Sequence, residues 1–108
     1  MTWTVETANA AVDAELEELP IKLRARLLRL LELIEARGLM VMREPHAKHL
    51  DGKLWELRAK SDEGIARAIY VAVTGRRVVI LHAFVKKTAK TPAAALSIAR
   101  QRLKELGQ

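Results

Sequence analysis

Three lysines follow an apolar segment and precede a helix start, a position that suits the binding of an anion. Residues 78–84 are apolar except for one histidine and rich in β-branched side chains, which predicts a strand buried on both faces in the middle of a sheet. Lys86, Lys87 and Lys90 come next. The pair Thr91-Pro92 then predicts a helix N-cap followed by proline at the first helical position. Such a loop either binds phosphate, because cations and backbone N–H groups meet there, or is simply solvated.

Two arginines in the preceding strands could contribute to the same site. Arg58 ends an alternating segment, and Arg67 interrupts an apolar one. A buried guanidinium must be paired or must face a functional site. Pairing with Glu56 on the neighbouring strand and binding of a ligand both remain open for Arg67. Together with the three lysines, these arginines would give five cations at one end or face of a sheet, which suits a phosphodiester.

The charge distribution points to a polyanionic partner. The chain of 108 residues has a net charge of +6, made of −2 over residues 1–47, +6 over residues 48–90 and +2 over residues 91–108. The excess lies around the predicted strands and not on an amphipathic helix, which favours nucleic acid over a membrane surface. We expect a single domain over residues 1–108, located in the cytoplasm, because no signal peptide or membrane-spanning run is evident.

The sequence predicts no metal and no cofactor. Cysteine is absent, so disulfides and thiolate metal sites are excluded. His46, His49 and His82 lack helical metal-ligand spacing with a carboxylate, and no glycine-rich phosphate loop or Ser-His-Asp pattern occurs. His82 lies within the apolar strand and is either a core residue or a proton carrier.

Periodicity predicts the order β-α-α-β-β-β-α. A short strand near the N-terminus precedes an acidic amphipathic helix over residues 8–19 and a second helix over 21–37, with Gly38 as its C-cap. The basic residues of this second helix are assigned to its solvent side; they are Lys22, Arg24, Arg26 and Arg29. Residues 39–52 are interpreted as a connecting loop because they show no sustained period.

The C-terminal half predicts an antiparallel meander and a final helix. Residues 54–58, 65–73 and 78–84 form the strands, separated by turns at 61–64 and 74–75, and a helix follows over residues 92–106. The fold class is therefore α+β, with a sheet of about four strands, a helical hairpin before it and a helix after it.

Three stretches of these strands resemble a known family. They are Leu54-Trp55-Glu56-Leu57-Arg58, Arg67-Ala68-Ile69-Tyr70, and the run Phe-Val-Lys-Lys-Thr-Ala-Lys-Thr-Pro that ends at Pro92. Over about residues 46–104 the chain is similar to the phage-derived HigB branch of the RelE/ParE toxin superfamily. This resemblance implies a RelE-like fold, in which the sheet is antiparallel but mixed at the N-terminal strand.

The resemblance also implies a function. It suggests the toxin of a type II toxin-antitoxin system, a metal-independent endoribonuclease that cuts mRNA on the ribosome. The implied partners are ribosome-bound mRNA, with contacts to 16S rRNA, and a HigA-like helix-turn-helix antitoxin. Two alternatives on the same fold are a ParE-like gyrase inhibitor and a basic binding module without catalytic activity.

Matching positions imply roles for individual residues. Arg58 and Arg67 would hold the scissile phosphate, while Lys86 and Lys87 would stabilise the leaving oxygen or the developing charge. The residues expected to contact RNA elsewhere are Lys48, Lys53, Lys90, Trp55 and His82. No tyrosine occurs late in the chain and no Asp-Tyr-His run is present, so no general acid or base is assigned.

Overall fold

Alternating and helical segments of the sequence form eight main elements. The computed structural model describes residues 2–86 and 91–107. The strands are β1 (Thr4–Thr7), β2 (Ala47–Asp51), β3 (Leu54–Ser61), β4 (Gly64–Val73) and β5 (Arg77–Lys86). The helices are α1 (Ala10–Glu17), α2 (Ile21–Arg37) and α3 (Ala93–Glu105), and a short 3₁₀ turn follows α2.

The strands form one sheet in the order β1-β5-β4-β3-β2. Strand β1 runs parallel to β5, with Thr4 opposite Arg77, whereas all other neighbours are antiparallel. The predicted meander and the parallel N-terminal strand are therefore confirmed. Strand β5 lies inside the sheet as predicted, but the central position belongs to β4.

One prediction about the sheet was wrong. Residues 39–52 were expected to form a loop, yet residues 47–51 of this stretch form β2, so the sheet has five strands and the order is β-α-α-β-β-β-β-α. Strand β2 is an edge strand with only Ala47 buried, and it carries Lys48 and His49. Edge strands of this kind carry charge in place of an apolar alternation, which is why periodicity missed it.

The helices pack on opposite faces of the sheet because the strand side chains alternate. The apolar stripe of α2, which includes Leu27 and Ile34, packs with Leu57 and Tyr70 in one core cluster. Helix α3 brings Ala95 and Ala99 against the other face, and the second cluster there also contains Ile69, Val71 and Leu81. Small alanine side chains let this helix lie close to the strands.

Gly38 ends α2 at the predicted position. Its φ of 87° lies in the left-handed region that glycine tolerates, and its N–H donates to the carbonyl of Ile34 at 2.7 Å. A Cβ here would lie 3.1 Å from Nε1 of Trp3, so the indole also requires the absence of a side chain. This contact connects the end of α2 to the residues that lead into β1.

Candidate active site

Strand register brings the predicted cations onto one face of the sheet. Residues directly opposite one another in neighbouring strands point to the same side. Lys48 lies opposite Glu56, and Arg58 lies opposite Arg67. In the adjoining row Lys60 and Lys86 both lie opposite Ile65. We call this side, which also carries α3, the cationic face; the basic strand residues on it, within the described part of the chain, are Lys48, Arg58, Lys60, Arg67 and Lys86.

A buried carboxylate organises the centre of the cationic face. Oε1 of Glu56 accepts hydrogen bonds from Arg58 Nε at 2.7 Å and from Arg67 Nη1 at 3.1 Å. The side chains of Glu56 and Arg67 are wholly inaccessible, whereas 18% of the Arg58 side chain is exposed. The pairing of Arg67 with Glu56, one of the two interpretations of its position, is therefore observed, and Arg58 is the member of this Glu56 cluster that solvent reaches.

The Glu56 cluster keeps an excess of positive charge. One carboxylate faces two guanidinium groups among the described residues, so these three side chains together have a net charge of +1. Burial lowers the pKa of Arg67, and Glu56 opposes that effect while Arg58 adds to it. Arg67 nevertheless stays charged at neutral pH, because an arginine guanidinium is effectively always protonated in proteins. The cluster can therefore attract a phosphate at its exposed edge, where Arg58 lies.

The start of α3 joins this cluster in a way that the sequence did not predict. Thr91 was expected to cap the helix, but its hydroxyl donates to Oε2 of Glu56 at 2.8 Å. The N-cap position is held by Pro92, which makes no side-chain hydrogen bond to the helix. Within the described part of the chain, the first turn of α3 thus begins next to the Glu56 cluster without a side-chain cap from its N-cap residue.

The lysine loop is only partly described. Lys86 is exposed at the end of β5, beside the Glu56 cluster. Lys87 and Lys90, predicted for catalysis and RNA contact respectively, lie outside the described residues. Their roles stay predictions.

The remaining predicted RNA contacts do not share one surface. Lys48 is exposed on the cationic face, and Lys53 is exposed in the turn between β2 and β3. Trp55 is 41% exposed, but it lies opposite Tyr70 on the other face of the sheet. Its ring contacts His49 edge-on, with centroids 5.0 Å apart.

His82 belongs to a second ionic cluster, centred on Glu15. Nδ1 of His82 donates to Oε1 of Glu15 at 3.0 Å, since a carboxylate oxygen can only accept. The same oxygen accepts from Arg102 Nη1 at 2.9 Å and from the backbone N–H of Ala83 at 3.1 Å. The ring of His82 also stacks on Phe84 with centroids 4.9 Å apart. This Glu15 cluster joins α1, β5 and α3.

Two effects compete at Glu15. Burial works to raise its pKa, but the hydrogen bonds from Arg102, His82 and the Ala83 N–H outweigh burial and lower it. The carboxylate is therefore ionised at neutral pH and holds His82 in place. These contacts are those of a satisfied structural histidine, one of the two interpretations drawn from the sequence.

Sequence reasoning missed several residues that the structure brings together. Glu15 and Arg102, which belong to no motif in the sequence, are 87 positions apart and hydrogen-bonded to each other. Arg26 and Arg29 are exposed, as predicted, but the sequence did not show that they line a groove between α2 and the end of β3. Periodicity carries no signal for such contacts, because it reports which face a residue occupies and not its partner.

Neither a metal-binding cluster nor a membrane-spanning helix occurs in the described residues. Across residues 2–86 and 91–107, no three side chains of His, Asp or Glu come together in a way that could hold a metal ion. None of the helices in the same residues is both long and apolar enough to span a membrane.

Solved structures show the class of fold. A double arginine-to-alanine mutant of the toxin RelE from E. coli in the free state superimposes with a TM-score of 0.68 at 15% identity, over 95% of this chain and 99% of that one. The archaeal RelE–RelB complex from Pyrococcus horikoshii OT3 gives a TM-score of 0.59 at 26% identity, over 82% of this chain and 100% of the matched chain. The fold is that of the RelE superfamily of toxins.

The family follows from the sequence. Residues 14–104 match the model of the family described as Phage derived protein Gp49-like (DUF891). Because this match covers most of the chain, the protein belongs to that family. None of the curated proteins matches it in sequence.

Proposed function

We propose that this protein is the toxin of a type II toxin-antitoxin system and acts as a ribosome-dependent mRNA interferase. The observation that carries the proposal is the convergence of Lys48, Arg58 and Lys86 around the Glu56 cluster on one face of the sheet. Membership in the Gp49-like family and the RelE fold support the same conclusion.

The proposed reaction needs positioning and charge stabilisation in place of a metal. The ribose 2′-hydroxyl attacks the adjacent phosphorus, a bond forms between them, and the bond from phosphorus to the 5′-oxygen breaks. A cyclic phosphate remains on one fragment, and the departing 5′-oxygen takes up a proton. Negative charge grows on the phosphoryl oxygens, so preorganised cations stabilise the transition state.

The exposure of each basic side chain suggests its role in the proposed reaction. Arg58 would bind the scissile phosphate, because it is the accessible arginine of the Glu56 cluster. Arg67 would act through Glu56 by holding its carboxylate, since its own side chain reaches no solvent. Lys86, with Lys87 after it, would stabilise the leaving oxygen.

The remaining predicted contacts would serve the longer RNA and the ribosome. Lys48 and Lys53 are exposed and suited to neighbouring phosphates. Lys90 keeps the same proposed role. Trp55 lies on the opposite face, so a contact with it would require RNA or 16S rRNA at a second surface. His82 would influence RNA only through the position of Phe84, on which its ring stacks.

The proposed protein partner is a HigA-like helix-turn-helix antitoxin. A toxin of this class must be neutralised in the cell that makes it, and the structure from Pyrococcus horikoshii OT3 is of a RelE–RelB complex. The excess positive charge of this chain suits an acidic partner surface.

Cleavage on translating ribosomes tests the proposal. The purified protein is added to ribosomes that translate a defined mRNA, and new 5′ ends are mapped by primer extension. We expect cuts within the translated frame by the wild type and a rate about 10²-fold lower for Lys86→Ala. Lys104→Ala removes an equally exposed lysine from the far end of α3 and should cleave like the wild type.

Each of the two alternative functions predicts a different result. Inhibition of gyrase supercoiling without mRNA cuts would support the ParE-like alternative. Neither activity, with the protein folded, would support a basic binding module. Equal loss of cleavage in Lys86→Ala and Lys104→Ala would contradict the proposed site.

A further inference from the structure

A groove outside the Glu56 cluster is built from apolar side chains. It lies between α2 and the part of β3 that extends past the start of β2, and its volume is about 360 Å³. The apolar residues that line it are Leu30, Leu33, Pro45 and Ala59. Ala59 lies beyond the paired region, because β2 begins opposite Leu57. The groove is thus a gap left by a short edge strand.

The rim of the groove has one sign of charge. Its charged side chains are those of Arg26 and Arg29 on α2, and no carboxylate lines it among the described residues. Arg58 and Lys60 border it as part of β3, but strand register places their side chains on the cationic face. Arg26 also donates to the backbone carbonyl of Lys60, which joins α2 to the end of β3. An apolar floor beside the two arginines of α2 is complementary to an acidic segment that carries an apolar side chain.

The residues that line the groove favour a protein ligand over an RNA ligand. Single-stranded RNA is bound by aromatic side chains on which bases stack, together with cations that follow the backbone. The described lining contains no Phe, Tyr or Trp, and His46 is its one aromatic ring. Aliphatic residues and proline favour an aliphatic or aromatic side chain of a protein.

We propose that this groove binds an acidic, apolar segment of a partner protein. The segment buries one apolar side chain against Leu33 and Pro45, and its carboxylates face Arg26 and Arg29. The groove borders β3, the strand that also carries Arg58 and Glu56, so the bound segment lies next to the strand of the proposed active site. Under the proposed function this partner is the antitoxin, and to that extent the inference rests on it.

Selection from a library of random peptides displayed on phage tests the inference with the full-length protein. We expect the enriched peptides to combine Asp or Glu with Leu, Ile, Val or Phe. They should bind about tenfold more weakly to Arg26→Glu/Arg29→Glu, and binding should weaken as salt rises. Lys22→Glu/Arg24→Glu makes the same charge change on the same helix outside the groove and should bind like the wild type.

A second pair of variants tests the apolar residues of the groove. Leu33→Ala should weaken peptide binding, whereas Leu28→Ala, which truncates a leucine exposed on α2 outside the groove, should not. Circular dichroism checks that each variant folds. If the double arginine variant does not fold, Arg29→Glu alone serves, because it leaves the bond from Arg26 to Lys60 in place.

Several results would overturn the inference. Peptides without acidic residues, or equal binding to both double variants, would show that the groove is not the site. A single-stranded RNA probe that loses binding to Arg26→Glu/Arg29→Glu, but not to the control, would assign the groove to RNA. Peptide binding is measured without any RNA cleavage. A failure of peptide binding would therefore not contradict the proposed function, and a loss of ribosomal cleavage would not contradict the groove as a peptide-binding site.

Discussion

Glu56 and Glu15 each accept hydrogen bonds from two basic side chains, but they stabilise different parts of the molecule. Glu56 is fully buried and holds two arginines that cannot lose their charge near neutral pH. Glu15 is 21% exposed and holds one arginine and one histidine. The first cluster keeps a net positive charge on the cationic face, whereas the second is balanced while His82 is neutral. The same arrangement therefore gives an anion site in one place and a connection between helices and strand in the other.

The position in the sheet explains the difference. The Glu56 cluster lies on β3 and β4, inside the sheet, so that its residues are fixed by strand register. The Glu15 cluster lies where β1 has ended, and the Glu15 carboxylate accepts the N–H of Ala83 at the uncovered edge of β5. Glu15 thus replaces a missing strand neighbour, which is a structural task.

The largest expected effect is the loss of the buried carboxylate. Glu56→Gln leaves the charge of Arg67 buried without its counterion and should lower the free energy of unfolding by about 3–5 kcal/mol. Glu15→Gln should cost only about 1 kcal/mol, because solvent partly compensates. Urea unfolding of both variants measures this difference, and exposed Glu63→Gln should stay within about 0.5 kcal/mol of the wild type. Equal losses for Glu56 and Glu15 would contradict the comparison.

A second variant separates stability from function at the same cluster. Glu56→Gln/Arg67→Met removes both buried charges and should recover about 2 kcal/mol or more relative to Glu56→Gln. Ribosomal mRNA cleavage should stay low, because Arg58 no longer has a carboxylate to orient it. Urea unfolding and primer extension on the same samples provide the two measurements. Full recovery of cleavage with the stability would show that the Glu56 cluster is purely structural.

The smallest expected effect is a pH dependence at the Glu15 cluster. The folded-state pKa of Glu15 lies below its ordinary value of 4.5, so its contribution to stability is complete above pH 4.5 and is lost as pH falls through the folded pKa. The difference in melting temperature between the wild type and Glu15→Gln should therefore shrink in that range. Glu17→Gln, an exposed change on the same helix, should show no such trend. A gap that widens with acid would contradict this assignment.

The meander was predictable because three alternating strands are separated by short turns, which fix the register of Arg58 opposite Arg67. The convergence of these arginines with Lys86 followed from that register. The edge strand β2 was not predictable, since its one buried side chain is Ala47. Thr91 was missed for another reason: its cap signal is local, but a tertiary hydrogen bond to Glu56 prevails.

The other features that the sequence did not predict depend on contacts between residues that are far apart in the chain. His82 and Glu15 are 67 positions apart, and neither lies in a motif that predicts the other. The groove beside α2 depends on how far β2 extends, and β2 itself was missed. Both features required the packed structure, because burial and hydrogen bonding between distant elements decide them.

Cleavage by variants of the two clusters tests the central assignment most directly. Arg58→Ala and Arg102→Ala each remove an arginine bonded to a buried or half-buried carboxylate. Single-turnover cleavage of ribosome-bound mRNA is measured at a temperature at which both variants are folded. The assignment predicts a rate about 10²–10³-fold lower for Arg58→Ala and little change for Arg102→Ala. An unimpaired Arg58→Ala, or an Arg102→Ala that loses as much activity, would contradict the claim that the Glu56 cluster is the phosphate site.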